Sequence, residues 1–172
     1  EARLDKAIAK INNEYKKYRL IECWGSGNSV SADGKLWDLY EDNLLSEYHI
    51  RYGSYGGIAY YHVSDTYIAL FSRFIPCGVY EAIYILDGLL NDESDFNPDT
   101  VHGDTQAQST PVFGLAYLLG IKLMPRIRNI KDLSFYKPDR AMALDHIQSL
   151  FKEPIKWDLI EKHYADMMRT AM

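Results

Sequence analysis

Residues 100–128, TVHGDTQAQSTPVFGLAYLLGIKLMPRIR, constrain the fold more than any other stretch of the chain. Thr100-Val101-His102-Gly103 is short and extended in character, and Asp104 follows where such a strand runs out. Ser109 or Thr110 is suited to cap a helix, with Pro111 expected at its first position. Phe113, Ala116, Tyr117 and Leu119 fill that helix, and Gly120 is placed to end it. Ile121 to Met124 then alternates apolar and polar residues, as a half-buried strand does. Strand, helix and strand in so few residues form a βαβ unit, which requires parallel pairing. In such folds ligand and metal chemistry collects at the carboxyl ends of strands, which draws attention to Asp104.

The rest of the chain supplies elements of both kinds. Glu1 to Lys17 reads as a helix with an apolar face of Leu4, Ala7, Ile8, Ile11 and Tyr15. A connector runs to Gly27. Asn28 to Trp37 has strand character, interrupted by Asp33-Gly34, a common turn signal. Residues 38–57 are polar and glycine-rich and read as a loop with room for a short helix. The runs IAYYHV and YIALFSRF around Ser64-Asp65-Thr66 predict a hairpin. His62 reads there as a strand histidine facing solvent or a neighbour, and Arg73 as a surface residue. Val79 to Leu90 predicts a helix, in which Gly88 calls for a close helix–sheet contact. Asn91 to Pro98 is an acidic, solvated loop. Beyond Pro138, residues 141–151 and 157–168 read as two helices, carrying His146 and His163 at no metal-ligand spacing. The order of elements predicts an α/β fold. Three antiparallel strands come first and parallel strands follow, in a mixed five-stranded sheet with helices on both faces and extra C-terminal helices. A single domain is expected, with a leading helix and connector over 1–23, a core over 24–137 and C-terminal helices over 138–172.

Composition narrows the function classes. A net charge of −5 argues against a surface coated for nucleic acid, without excluding a local basic groove. Arg126, Arg128, Lys131 and Lys137 form the one local basic run. Cys23 and Cys77 are the only cysteines and offer neither a zinc pattern nor a disulfide framework, in keeping with a reduced cytosolic compartment. No run of 18 apolar residues is present. P-loop, dinucleotide-binding and zinc-protease signatures are absent. What remains is paired carboxylates. If the strand carrying Asp33 lies beside the one ending at Asp104, the two acids face each other although 71 positions apart. Two such carboxylates hold divalent metals for phosphoryl transfer, and Asp oxygens suit Mg²⁺. Read by local chemistry alone, Asp33 is a turn residue first, and 24 acids offer many pairs.

The run WGSGNSVSADGK at 24–35 resembles the WG-x-G and SSDG signature of the transposases of class II replicative bacterial transposons, the Tn-three family. YGSYGG, YYHVSDTYIALFS, LDGLL and HGDTQAQSTPVFGLAYLLGIKLMPRIR follow in the family's order, so the resemblance spans residues 24–137. It implies an RNase H-like catalytic domain of the DDE type. Asp33 is its first catalytic acid and metal ligand, and Asp104, in HGDT, its second. The implied activity is nicking of transposon 3′ ends and their joining to target DNA with two Mg²⁺ ions, Mn²⁺ being a possible substitute. The implied partners are DNA and further copies of the enzyme, and the implied place of action is the bacterial cytoplasm, at the nucleoid. Arg126, Arg128 and Lys131 are then the candidates for DNA phosphates. Ala32 stands where the family more often has Ser. The family's third acid, a Glu in a helix far beyond the second Asp, has no match before Met172. The chain is therefore expected to be a catalytic-core fragment, inactive alone, with both ends inside helical patterns. Two alternatives stay open. One is an intact small RNase H-like nuclease completed by Asp145, Glu153, Asp158 or Glu161. The other is a non-catalytic DNA-binding module.

Overall fold

The computed structural model describes residues 2–18, 23–50, 52–91 and 94–172. It divides into two compact units, Glu1–Arg126 and Ile127–Met172, where the sequence reads as one domain.

The first unit is built on a mixed sheet. Its strands are β1 (Ser29–Asp38), β2 (Glu47–His49), β3 (Ser54–Ser64), β4 (Ala69–Pro76), β5 (Thr100–Gly103) and β6 (Lys122–Pro125). The path is β2-β3-β1-β5-β6, with β4 pairing β3. β1 is antiparallel to β3 and parallel to β5, and β5 is parallel to β6. The sheet thus has six strands against the five expected. The extra one is the short β2, in the stretch read as loop, which pairs the start of β3. The hairpin forms as expected, turning through residues 65–68 with Tyr67 at a φ of 62°.

Asp33-Gly34 does not turn. Both residues lie inside the continuous ten-residue β1, and the register pairs Asp33 with Tyr61 and Gly34 with Tyr60. A Cβ at 34 would meet Ile58 Cγ2 at 2.9 Å and Tyr60 Cδ2 at 3.0 Å, so this glycine serves close packing rather than a bend.

Three helices complete the unit: α1 (Ala2–Tyr15), α2 (Ala82–Leu90) and α3 (Thr110–Leu118). α2 buries Ala82, Ile85, Leu86 and Gly88. Together with Val30, Ala32, Ile58, Tyr60, Ile75 and Val101 these residues form one core. His62 is fully buried in that layer, its Nε2–H donating to Ile85 O at 3.0 Å, and not on a solvent face. Its ring lies over Gly88, where a Cβ would come within 2.6 Å of Nε2. The predicted close contact at Gly88 is therefore real, and its partner is the histidine. Arg73 is part-exposed and pairs with Asp87 at 3.3 Å.

α1 docks by a different face from the one its hydropathy suggests. Ala9 and Asn12 are buried, whereas Leu4 and Ile11 stay 63% and 68% exposed. Hydrogen bonds decide the orientation: Asn12 Nδ2 donates to Ala69 O at 2.9 Å, Lys16 Nζ to Asp95 O at 2.7 Å, and Asp95 N–H to Asn13 Oδ1 at 2.9 Å.

The βαβ unit forms as read, with Ser109 as N-cap and Pro111 at the second helical position, one later than expected. Gly120, at a φ of +74°, closes α3 with Gly120 N–H to Tyr117 O and Ile121 N–H to Ala116 O, the paired bonds of a Schellman end.

The second unit contains β7 (Phe135–Lys137) and β8 (Phe151–Pro154), paired in parallel, and α4 (Trp157–Ala171). Only one of the two expected C-terminal helices is present. Residues 141–147 form turns, and a 3-10 turn follows at Gln148–Leu150. Asp139 Oδ1 accepts the Ala141 N–H at 3.0 Å, and the backbone bonds there span three residues. Phe151 packs against Phe135 across the β7–β8 pair, the rings tilted by 40°, drawing the end of the predicted helix into a strand. Among the described residues no helix is long and apolar enough to cross a membrane.

Candidate functional site

The parallel pairing of β1 and β5 sets the geometry. The register runs Ser29 with Thr100, Val30 with Val101, Ser31 with His102 and Ala32 with Gly103. One step further, Asp33 stands beside Asp104. Neighbouring strands lie about 4.8 Å apart, so the two acids are immediate neighbours across the sheet. Side chains alternate along a strand. Val30 and Ala32 face the core, which puts Asp33 on the opposite face with Ser31 and Lys35, all exposed. The same alternation in β5 buries Val101 and exposes His102. Asp104 keeps extended backbone angles (φ −74°, ψ −167°), so its exposed carboxylate continues on the face of His102.

Local hydrogen bonds orient both carboxylates. Asp33 Oδ1 accepts the Gly34 N–H at 2.9 Å. Asp104 Oδ1 accepts the Gln106 N–H at 2.9 Å, which makes Asp104 the cap of the 3-10 turn Thr105–Ala107. The aspartate that ends the strand thereby starts the turn leading to α3.

Two adjacent, exposed carboxylates at a strand end present hard oxygen donors, the kind divalent Mg²⁺ or Mn²⁺ takes. The donor set fits such an ion but does not enclose one. Among the described residues no group of three or more His, Cys, Asp or Glu side chains is placed to hold a metal.

Two residues that sequence reasoning did not single out border the pair. Glu81, N-cap of α2, has its carboxylate Oε2 against Gly34, in the space a Cβ at 34 would take. Tyr60 is 3% exposed. Burial first, and then the carboxylates of Asp104, Glu81 and Asp33, push its hydroxyl pKa far above the usual tyrosine value. Glu81 lies in YEAIYILDGLL as one acid among many, and nothing in its sequence neighbours marks it. The glycine after Asp33 is the one signal that something approaches β1 closely.

The basic candidates do not all belong to one unit. Arg126 follows β6 directly, and its N–H donates to Gly103 O at 2.9 Å, which fixes its backbone beside the residue preceding Asp104. Arg128 and Lys131 are exposed and lie in the second unit. Asp145, Glu153, Asp158 and Glu161 are in that second unit as well.

Comparison with known proteins gives concordant matches. The family model of the Tn3 transposase DDE domain matches residues 1–172. The transposase for transposon Tn1546 of Enterococcus faecium is 31% identical over 172 residues, 99% of this chain and 17% of that protein. The transposase for transposon Tn501 of Pseudomonas aeruginosa is 29% identical over 167 residues. The gamma-delta transposase of Escherichia coli K12 is 30% identical over 167 residues. Each of the last two covers 96% of this chain and 17% of its own length. The chain thus spans about a sixth of the length of these relatives. With its mixed α/β sheet, the chain belongs to the Tn3 transposase DDE domain family.

Proposed function

We propose that these residues are part of the catalytic core of a DNA transposase with an RNase H-like sheet, in which Asp33 and Asp104 are catalytic acids and joint ligands of divalent metal. The observation that carries this reading is the parallel β1–β5 register, which makes neighbours of two acids 71 positions apart on one exposed face. The first strand and the first parallel strand are where an RNase H-like site holds its acids.

The reaction is phosphoryl transfer. Water first opens a phosphodiester at the transposon end and leaves a 3′ hydroxyl. That hydroxyl then bonds to a target-strand phosphorus and displaces a target 3′ oxygen. Asp33 and Asp104 would hold Mg²⁺, which would polarise the phosphoryl oxygens and lower the pKa of the attacking oxygen. The chain's own contribution is positional. The sheet fixes the spacing of the two carboxylates, the Gly34 and Gln106 N–H groups hold one oxygen of each, and Arg126 is anchored beside the pair to meet a phosphate. Arg128 and Lys131, which belong to the second unit, are further candidates for DNA phosphates. The third acid of the DDE set lies outside this chain, so these 172 residues alone neither cleave nor join DNA. The whole enzyme works as a homo-oligomer on transposon and target DNA in the bacterial cytoplasm, at the nucleoid.

Transposition with the full-length enzyme tests the assignment. Asp33→Asn and Asp104→Asn are each expected to reduce strand transfer by at least about a thousandfold while leaving end binding intact. Wild-type transposition by Asp104→Asn refutes it. Nucleic-acid hydrolysis by the 172 residues alone, lost on changing Asp145, Glu153, Asp158 or Glu161, favours a self-contained nuclease instead.

A further inference from the structure

Glu81 reaches the acid pair from the far side of β1. Gly34 pairs with Tyr60 in the β1–β3 register, and the Glu81 carboxylate occupies the space beside the Gly34 Cα that any other residue would fill. The Gly34 peptide is also the one whose N–H holds Asp33 Oδ1. Glu81, Gly34 and Asp33 are therefore linked through one backbone unit. Tyr60 closes the arrangement. It is buried to 97%, its ring lies against Gly34, and the charges of Asp104, Glu81 and Asp33 bear on its hydroxyl. A phenol in that position has a proton to donate.

We propose that Glu81, backed by Tyr60, is a positioning residue of the Asp33–Asp104 site, a third carboxylate one layer behind the pair that strengthens its hold on a divalent cation. The proposal rests on the metal-dependent reading above. Glu81 is not grouped with the two aspartates as a ligand set. It acts through them instead, adding negative charge behind the pair and fixing the Gly34 peptide. The Tyr60 hydroxyl is the donor available to a carboxylate oxygen or to water carried by the cation. Partners of metal ligands at this remove typically change affinity by about 10- to 100-fold when removed.

Mn²⁺ binding to the full-length transposase, followed by the paramagnetic signal of the free ion, tests this without reference to turnover. Glu81→Gln, which keeps size and removes charge, is expected to weaken binding by about tenfold and to raise the Mg²⁺ concentration for half-maximal strand transfer. Tyr60→Phe shifts both in the same direction by less. Where Glu81→Gln also lowers the melting temperature, Glu81→Asp separates charge from packing: recovered Mn²⁺ affinity supports the proposal, and no recovery overturns it. Unchanged Mn²⁺ affinity in Glu81→Gln, alongside loss of binding in Asp33→Asn, overturns the role of Glu81 and leaves the catalytic reading standing. Intact binding and strand transfer in both Asp33→Asn and Asp104→Asn removes the catalytic reading itself.

Discussion

At position 88 a single methyl group has nowhere to go. His62 fills the space above Gly88, its Nε2 is engaged with Ile85 O, and the ring cannot leave without breaking that bond. Gly88→Ala is expected to destabilise the protein by about 1–3 kcal/mol, the ordinary cost of overpacking a filled core, even though alanine is the better helix former. Chemical denaturation checks this, and a stabilised variant would show that the ring moves aside freely. Tyr60 makes a second prediction. Its folded pKa is raised, so the unfolded chain releases that proton first. The resulting stability is fully present below about pH 10, the ordinary tyrosine value, and is lost as pH rises beyond it. Melting temperatures should therefore fall above about pH 10 in the parent protein, and less steeply in Tyr60→Phe.

At the scale of elements, α3 depends on how it ends. Gly120 holds a left-handed conformation that supports two closing hydrogen bonds and aims the chain into β6. Gly120→Ala is expected to cost about 1 kcal/mol, with no steric clash to add, since nothing lies within 4 Å of a Cβ there. A midpoint shift in urea measures it. This βαβ unit was legible in the sequence because Pro111 and Gly120 act locally and nothing distant overrides them. The hairpin and α2 were legible for similar reasons, through paired β-rich runs and a wide apolar face. Asp33-Gly34 misled because the turn preference of the dipeptide is local, while the glycine answers to Glu81, Ile58 and Tyr60 from elsewhere in the fold. The docking face of α1 was hidden because Asn12, Asn13 and Lys16 bind by hydrogen bonds that hydropathy does not count. The helix expected over 141–151 lost to the pairing of Phe151 with Phe135, a partner no helical pattern reveals.

At the scale of the molecule, the acid pair was legible as a possibility that only strand order could decide. A net charge of −5 averages over the whole chain and does not report the exposed Arg126 that follows β6. The division into two units was not legible, since no glycine- or serine-rich linker marks Arg126–Ile127. The first unit contains the whole six-stranded sheet and every core residue. Residues 1–126 expressed alone are therefore expected to retain a cooperative thermal transition and a mixed α/β circular dichroism spectrum. A broad, non-cooperative melt would show that the first unit needs the second.

The register that joins β1 to β5 also sets when the site comes into being. β1 can pair with β3 as soon as residues 29–64 are available, but Asp104 arrives only after the hairpin, α2 and the loop beyond it have been made. Parallel pairing across so long a separation is among the slower steps available to a chain, because its loop must close before any contact rewards it. No partly folded form ending before β5 holds the Asp33–Asp104 pair. A nascent chain thus carries no Asp33–Asp104 pair until its central sheet is finished, so the proposed site exists only in the completed fold.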